Sequence, residues 1–230
     1  MPAAQHGPRT FVLIPGAGGA ASWYWQLVAP LIRQAGHELI TVDLPADDAE
    51  AGLPEYARLV ADAVGNRNGA VLVAASLGGF TAPMVTVQRP VAGIVMVNAM
   101  IPAPGETPLA WSDNTGQPQA QRAAAERDGY STEIDLDTYF LHDVSPEVFA
   151  SGDGQHRDEA AAAFESPCEF TAWPDVPIRV VAGADDRLFP VEFQQRVARE
   201  RLGIEADVLP GGHLIALAQP DALARYLLNA

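Results

Sequence analysis

Short, continuously apolar runs alternate with amphipathic stretches along this chain, and that alternation limits its fold more than any other feature. Thr10 to Ile14, His37 to Leu44, Ala70 to Ala75, Val91 to Ala99, Ile178 to Ala182 and Glu205 to Leu209 read as strands. Trp23 to Gln34, Pro54 to Val64, a stretch from about Leu77, Val191 to Arg201 and Pro220 to Leu228 read as helices. Pro54 suits a first helical turn, and Gly36, Gly65 and Gly203 stand at helix ends. A strand with no polar alternation cannot leave one face in water. Most of the six strands are of this kind and helices separate them, which calls for an α/β fold, a mainly parallel sheet of about six strands with helices on both faces. Right-handed crossovers then gather the loops that follow the strands along one sheet edge, where such folds keep their sites.

Residues 101 to 177 interrupt the pattern. They open with Pro102, Pro104, Gly105 and Pro108, contain no evident strand, and show helical stretches at Gln117 to Arg127, Leu136 to Phe140, Pro146 to Ala150 and Asp158 to Phe164. The expected organisation is a core formed by 1–100 and 178–230, with a small helical cap, 101–177, inserted after the fourth strand. The full length of 230 residues suits one domain with such an insertion.

The charge balance narrows the function. A formal net charge of −15 argues against nucleic acid and against anionic membrane surfaces as partners. Every basic residue is arginine, so Schiff-base and P-loop lysine chemistry are excluded. No stretch approaches the ~20 apolar residues needed to span a bilayer. The opening Met-Pro-Ala-Ala-Gln-His-Gly-Pro-Arg lacks a basic and apolar leader pattern, which makes the cytoplasm the default expectation. Cys168 is the single cysteine and reads as a buried apolar residue, with no disulfide and no zinc spacing. No metal or cofactor is expected. The one partner the sequence assigns is a small-molecule substrate.

The chemistry begins at Ala74-Ala75-Ser76-Leu77-Gly78-Gly79, which follows an apolar strand and opens a helix. A sharp strand-to-helix turn strains the serine backbone and tolerates only small neighbours two residues to either side. It presents Ser76 at the strand tip, with the Leu77 amide aimed at the same place and the helix dipole favouring negative charge there. Pro83, one and a half turns into that helix, should remove a backbone bond and kink it. A serine nucleophile in such a fold needs an acid and then a histidine later in the chain. His6 and His37 precede the serine, and His142 and His156 fall in the expected cap. His213 sits in the glycine-rich Pro210-Gly211-Gly212-His213-Leu214, directly after the last strand. The strand Ile178 to Ala182 runs into Gly183-Ala184-Asp185-Asp186-Arg187-Leu188-Phe189-Pro190. Either aspartate could orient the imidazole. Pro190, four residues on, places Asp186 on the loop crest, so Asp186 is taken as the acid and Asp185 as a brace. Two N–H donors are needed for an oxyanion. Leu77 supplies one, and Ala17 in Pro15-Gly16-Ala17-Gly18-Gly19 the other; this glycine-rich loop fits no nucleotide fingerprint. Trp23, Tyr24 and Trp25 either anchor the first helix or line the acyl pocket. Trp111 is one of several cap aromatics available to cover a substrate, and Glu165 is a carboxylate that could reach the site.

These residues together resemble the α/β-hydrolase superfamily from Thr10 to Leu228. Phe11-Val12-Leu13-Ile14-Pro15-Gly16-Ala17 followed by Ser22-Trp23-Tyr24-Trp25 resembles the plant methyl-esterase and hydroxynitrile-lyase branch and its bacterial relatives. Ala172-Trp173-Pro174-Asp175-Val176-Pro177 and Asp186-Arg187-Leu188-Phe189-Pro190 are similar to an actinobacterial group of generic α/β-fold hydrolases. The chain departs from the pattern with Pro15 where His is usual and with Ala74 as the first elbow residue. Its first strand matches what is usually the third, so no antiparallel pair is expected. In the plant lyases a threonine and a lysine occupy the places that Gly16 and Leu214 take here, which implies that both line the substrate site and that cyanide-stabilising charge is missing. The resemblance thus implies a serine hydrolase acting on an ester, thioester or lactone. A cofactor-free lyase and a ligand-binding homologue without catalysis are the alternatives.

Overall fold

In the computed structural model, which describes residues 7–152 and 157–229, six strands form one sheet. They are β1 (Thr10–Ile14), β2 (Glu38–Thr41), β3 (Ala70–Ala75), β4 (Gly93–Val97), β5 (Ile178–Gly183) and β6 (Asp207–Leu209). Their order is β2-β1-β3-β4-β5-β6, and each of the five adjacencies is parallel.

Apolar side chains on both strand faces explain this architecture. Val12, Ile14, Leu72, Ala74, Ile94, Met96, Val180 and Ala182 belong to one core layer. Their chain neighbours Phe11, Leu13, Val71, Val73, Val95, Val97 and Val181 belong to the other. The first layer is closed by α3 (Leu53–Val64), α4 (Gly78–Gln88) and α9 (Val191–Leu202). The second is closed by α1 (Ala21–Tyr24), α2 (Val28–Gln34), α10 (Ile215–Ala218) and α11 (Pro220–Leu228). Burying one such Leu or Val is worth about 1.5–3 kcal/mol, so both faces must be covered. Residues 78 to 85 of α4 are all buried, which marks a helix enclosed on every side. It continues through Pro83 to Gln88, where Pro83 contributes no N–H to the helix ladder.

Several boundaries differ from the sequence expectation. Trp23 to Gln34 divides into α1 and α2, and β2 and β4 are shorter at both ends. The segment between β4 and β5 holds α5 (Pro108–Thr115), α6 (Gln117–Asp128), a π-helical turn (Asp137–Leu141), α7 (Pro146–Ala150) and α8 (Ala161–Glu165). Helix α5 was not anticipated, although Thr107 caps it, Pro108 opens it and left-handed Gly116 ends it. Asp158 to Ala160 is not helical. The entering and returning chains of this segment pair at their base, where Gly105 N–H donates to Cys168 O (2.9 Å) and Cys168 N–H to Glu106 O (2.8 Å). Cys168 is fully buried, and burial pushes its thiol up, away from nucleophilic use. His6 and His156 lie outside the described residues.

The strand register aligns the tips. Ala75 is level with Val97, and Val97 with Val181. The order in which strands are added reverses between β1 and β3, since β2 lies on one side of β1 and β3 to β6 on the other, and at such a switch point the loops after the strands diverge to leave a crevice.

Candidate active site

Ser76 occupies the turn between β3 and α4 with φ 49°, one of two described non-glycine residues in the left-handed region. The other is Asn98, at the tip of β4, with φ 44°. Such backbone costs about 1–3 kcal/mol and persists where surrounding structure enforces it. Here the enforcement is visible. Ser76 O accepts from Gly79 N–H (3.1 Å) and from Met100 N–H (3.0 Å). A Cβ on Gly78 would lie 2.4 Å from Pro15 O, and one on Gly79 2.0 Å from Met100 O, so the helix approaches the loops only because these residues are glycine.

Nε2 of His213 lies 3.1 Å from Oγ of Ser76, and its Nδ1 lies 2.8 Å from Oδ2 of Asp186. His213 and Asp186 are 3% and 4% exposed, so the pair is removed from water. The second oxygen of Asp186 accepts the N–H groups of Leu188 and Phe189, each at 2.9 Å, and Gln194 Nε2 reaches Oδ2 at 3.2 Å. A buried carboxylate with this many donors is compensated in its charged form. Asp185 is exposed. Its carboxylate accepts the Gly211 N–H (3.2 Å), bracing the histidine loop from outside.

Four further residues hold that loop and its imidazole, and of these the sequence offers only Phe140, as one of the cap aromatics available to cover a substrate. Asn98 Oδ1 accepts from Gly183 N–H (2.6 Å), while its Nδ2 donates to Gly212 O (2.9 Å) and His213 O (3.1 Å). Asp143 Oδ2 accepts the Gly212 N–H at 2.6 Å. The rings of Phe140 and Phe189 meet the imidazole edge-to-face, with centroids 5.4 and 5.0 Å away. Phe140 comes from the π-helical turn, a distortion common at functional sites.

A cavity of about 270 Å³ opens beside Ser76 and His213. Gly16, Ala17, Trp23 and Leu214 line it, with Tyr24, Leu136, Phe140, Leu141 and Phe149. Gly16 abuts the serine closely: a Cβ there would stand 2.8 Å from Ser76 Cβ. The backbone N–H groups of Ala17 and Leu77 donate to no acceptor among the described residues. Trp111 lies elsewhere. It is 1% exposed, packs on Phe189 and Phe193, and donates its indole N–H to Ile101 O (2.9 Å). It thus supports the ring beside His213 from behind, because a large aromatic in this segment gains more by joining the core than by facing a cavity.

Glu165 is exposed and absent from the wall; the carboxylates on the wall are Asp158, which is exposed, and Glu159, which is half-buried. Burial raises the Glu159 carboxyl above its ordinary value, and bonds from Tyr56 and Gly18 with the charge of Arg157 offset this in part. No spacing in the sequence marks Glu159, since it lies in an irregular stretch before α8.

The chain is similar to known hydrolases and esterases. A pyrethroid hydrolase of Sphingobium wenxiniae is 27% identical over 241 residues, covering 95% of this chain and 86% of its own. A probable esterase of Oryza sativa is 36% identical over 116 residues, 44% of this chain and 43% of its own. A methylesterase from Arabidopsis superposes with a TM-score of 0.73 at 20% identity, over 96% of this chain and 97% of that one. No helix of the described residues is long and apolar enough to cross a membrane. The sequence pattern of the Alpha/beta hydrolase family matches residues 11–226, and the chain belongs to that family.

Proposed function

We propose that this hydrolase cleaves an ester, thioester or lactone of a small, largely apolar substrate through an acyl-enzyme, with Ser76, His213 and Asp186 as its triad. The observation that carries the reading is the continuous chain from Ser76 Oγ to His213 Nε2 at 3.1 Å and from Nδ1 to Asp186 at 2.8 Å. Relatives named as a pyrethroid hydrolase and as esterases support ester chemistry. The apolar wall of Trp23, Tyr24, Leu136, Phe140, Leu141 and Phe149 supports an apolar substrate, and residues 101–177 act as the cap that supplies much of it.

In this mechanism Ser76 donates its proton to His213 Nε2 as Oγ attacks the carbonyl carbon. Asp186 holds Nδ1–H, fixing the tautomer and stabilising the imidazolium. The N–H groups of Ala17 and Leu77 receive the oxyanion, each worth about 3 kcal/mol in systems of this kind. Collapse expels the alcohol or thiol, which takes the proton from Nε2. Water then gives a proton to Nε2 as it attacks the acyl carbon, and collapse of this second intermediate releases the acid as Ser76 Oγ takes that proton back.

Replacing Ser76 by Ala tests the reading. Turnover of p-nitrophenyl butyrate should fall by several orders of magnitude, and labelling by a fluorophosphonate should disappear. Unchanged turnover in Ser76→Ala excludes the mechanism, and a native protein that binds esters yet resists the fluorophosphonate is a ligand-binding homologue.

A further inference from the structure

The loop after β1 carries the Ala17 amide, and its conformation is a turn. Gly19 N–H donates to Gly16 O at 3.2 Å, and Gly18 has φ +84°. A positive φ at the third residue of a hydrogen-bonded turn is the signature of type II. In such a turn the middle peptide, here Ala17–Gly18, can rotate with little steric resistance once its N–H is free, because glycine accepts either orientation. The Gly18 N–H is not free. It donates to Glu159 Oε2 at 2.7 Å, and the other carboxylate oxygen accepts Tyr56 O–H at 2.6 Å. Tyr56 is 1% exposed on α3, so the acceptor is anchored to the core.

The segment also stands close behind the loop. A Cβ on Gly18 would lie 3.0 Å from Arg157 O, and Ala160 N–H donates to Ala46 O at 2.7 Å. Glu159 thereby links three parts of the chain: the cavity wall, the turn and helix α3. A half-buried carboxylate is costly unless paired, and both Glu159 oxygens accept from protein donors.

We infer that Glu159 is a positioning residue for the oxyanion site: by accepting the Gly18 N–H it fixes the Ala17–Gly18 peptide and anchors the turn, so that the Ala17 N–H, which belongs to the preceding Gly16–Ala17 peptide, keeps its place beside Ser76; this rests on the serine-hydrolase reading above. Its contribution is made in the transition state, where charge develops on the substrate oxygen, and hardly at all in ground-state binding.

The test compares Glu159→Ala and Glu159→Gln in p-nitrophenyl butyrate hydrolysis, with affinity for an alkyl trifluoromethyl ketone as the second readout. Glu159→Ala should lower kcat by roughly tenfold to a hundredfold with KM changed by less than about twofold. Ketone affinity should fall in parallel, because the ketone forms the oxyanion adduct. Glu159→Gln should retain most activity, since its amide oxygen accepts from Gly18 and its amide nitrogen donates to Tyr56. Unchanged ketone affinity in Glu159→Ala overturns the inference, as does a Gln variant as impaired as the Ala variant. If Glu159→Ala fails to fold, Tyr56→Phe decides: loss of the anchor should reduce kcat and ketone affinity together by about threefold, and no change in either overturns the inference. Activity surviving in Ser76→Ala refutes the underlying reading instead, so the two failures are distinct.

Discussion

The side-chain amide of Asn98 donates to the backbone carbonyl of His213 across 3.1 Å, so the tip of β4 holds the residue that faces Ser76 from β6. The same side chain serves Gly183 and Gly212, and Asn98 adopts a positive φ that few other residues tolerate. Asn98→Ala strands one buried N–H and two carbonyls. It should cost about 2–4 kcal/mol of stability and lower kcat more than it raises KM, as measured by urea denaturation and steady-state kinetics. Asn98→Asp keeps the acceptor and loses the donor, and it should restore little.

Adjacent aspartates have separable roles. Asp186→Asn should reduce kcat by about 10⁴-fold, because the amide favours the wrong imidazole tautomer. Asp185→Asn keeps an acceptor for Gly211 and should stay within about threefold of the native rate. Steady-state kinetics on both variants check this, and the reverse ranking would move the acid by one residue.

Acid should loosen the attachment between the β4–β5 segment and α9. Burial would raise the Glu106 carboxyl. Arg201, the Ala103 N–H and Asn114 together outweigh this and hold it below its ordinary value. Both guanidinium bonds are short, 2.9 and 3.0 Å. A depressed folded-state pKa gives stability that is complete above the unfolded value and is lost as pH falls through the folded one. Denaturation midpoints should therefore drop below about pH 4.5 in the native protein. Arg201→Met should cost about 3 kcal/mol at pH 7, and its deficit should shrink as the medium is acidified. A deficit independent of pH would separate the effect from Glu106.

Two tryptophans should respond in opposite ways. Trp111→Ala empties a core position and should cost about 3–5 kcal/mol, with any loss of rate arising through Phe189 and His213. Trp23→Ala changes the cavity wall and should alter KM and acyl-chain preference more than stability. Thermal melting beside kinetics over esters of graded chain length distinguishes them.

The sequence made the sheet legible because burial on both faces leaves unbroken apolar runs, and Ser76, Asp186 and His213 legible because strand tips with glycine-rich surroundings punctuate those runs. The supporting groups carried no such signal. Asn98 is a single amide at the end of a strand, and Asp143 and Glu159 lie in irregular chain, so their importance depends on which loop happens to face them. The same reasoning accounts for Trp111, whose residue type suits a pocket or a core equally well. Boundaries slipped most at His37 to Leu44, where apolar character outlasts ladder pairing, and in Trp23 to Gln34, where a helical period persists across a break.

The paired neck at Gly105, Glu106 and Cys168 has a consequence for how such a chain can diversify. Because the departing and returning chains are already clasped to each other there, a different insert could be joined at that point. Grafting a different insert at that clasp would recast substrate preference while the sheet beneath kept its reactive tips in register.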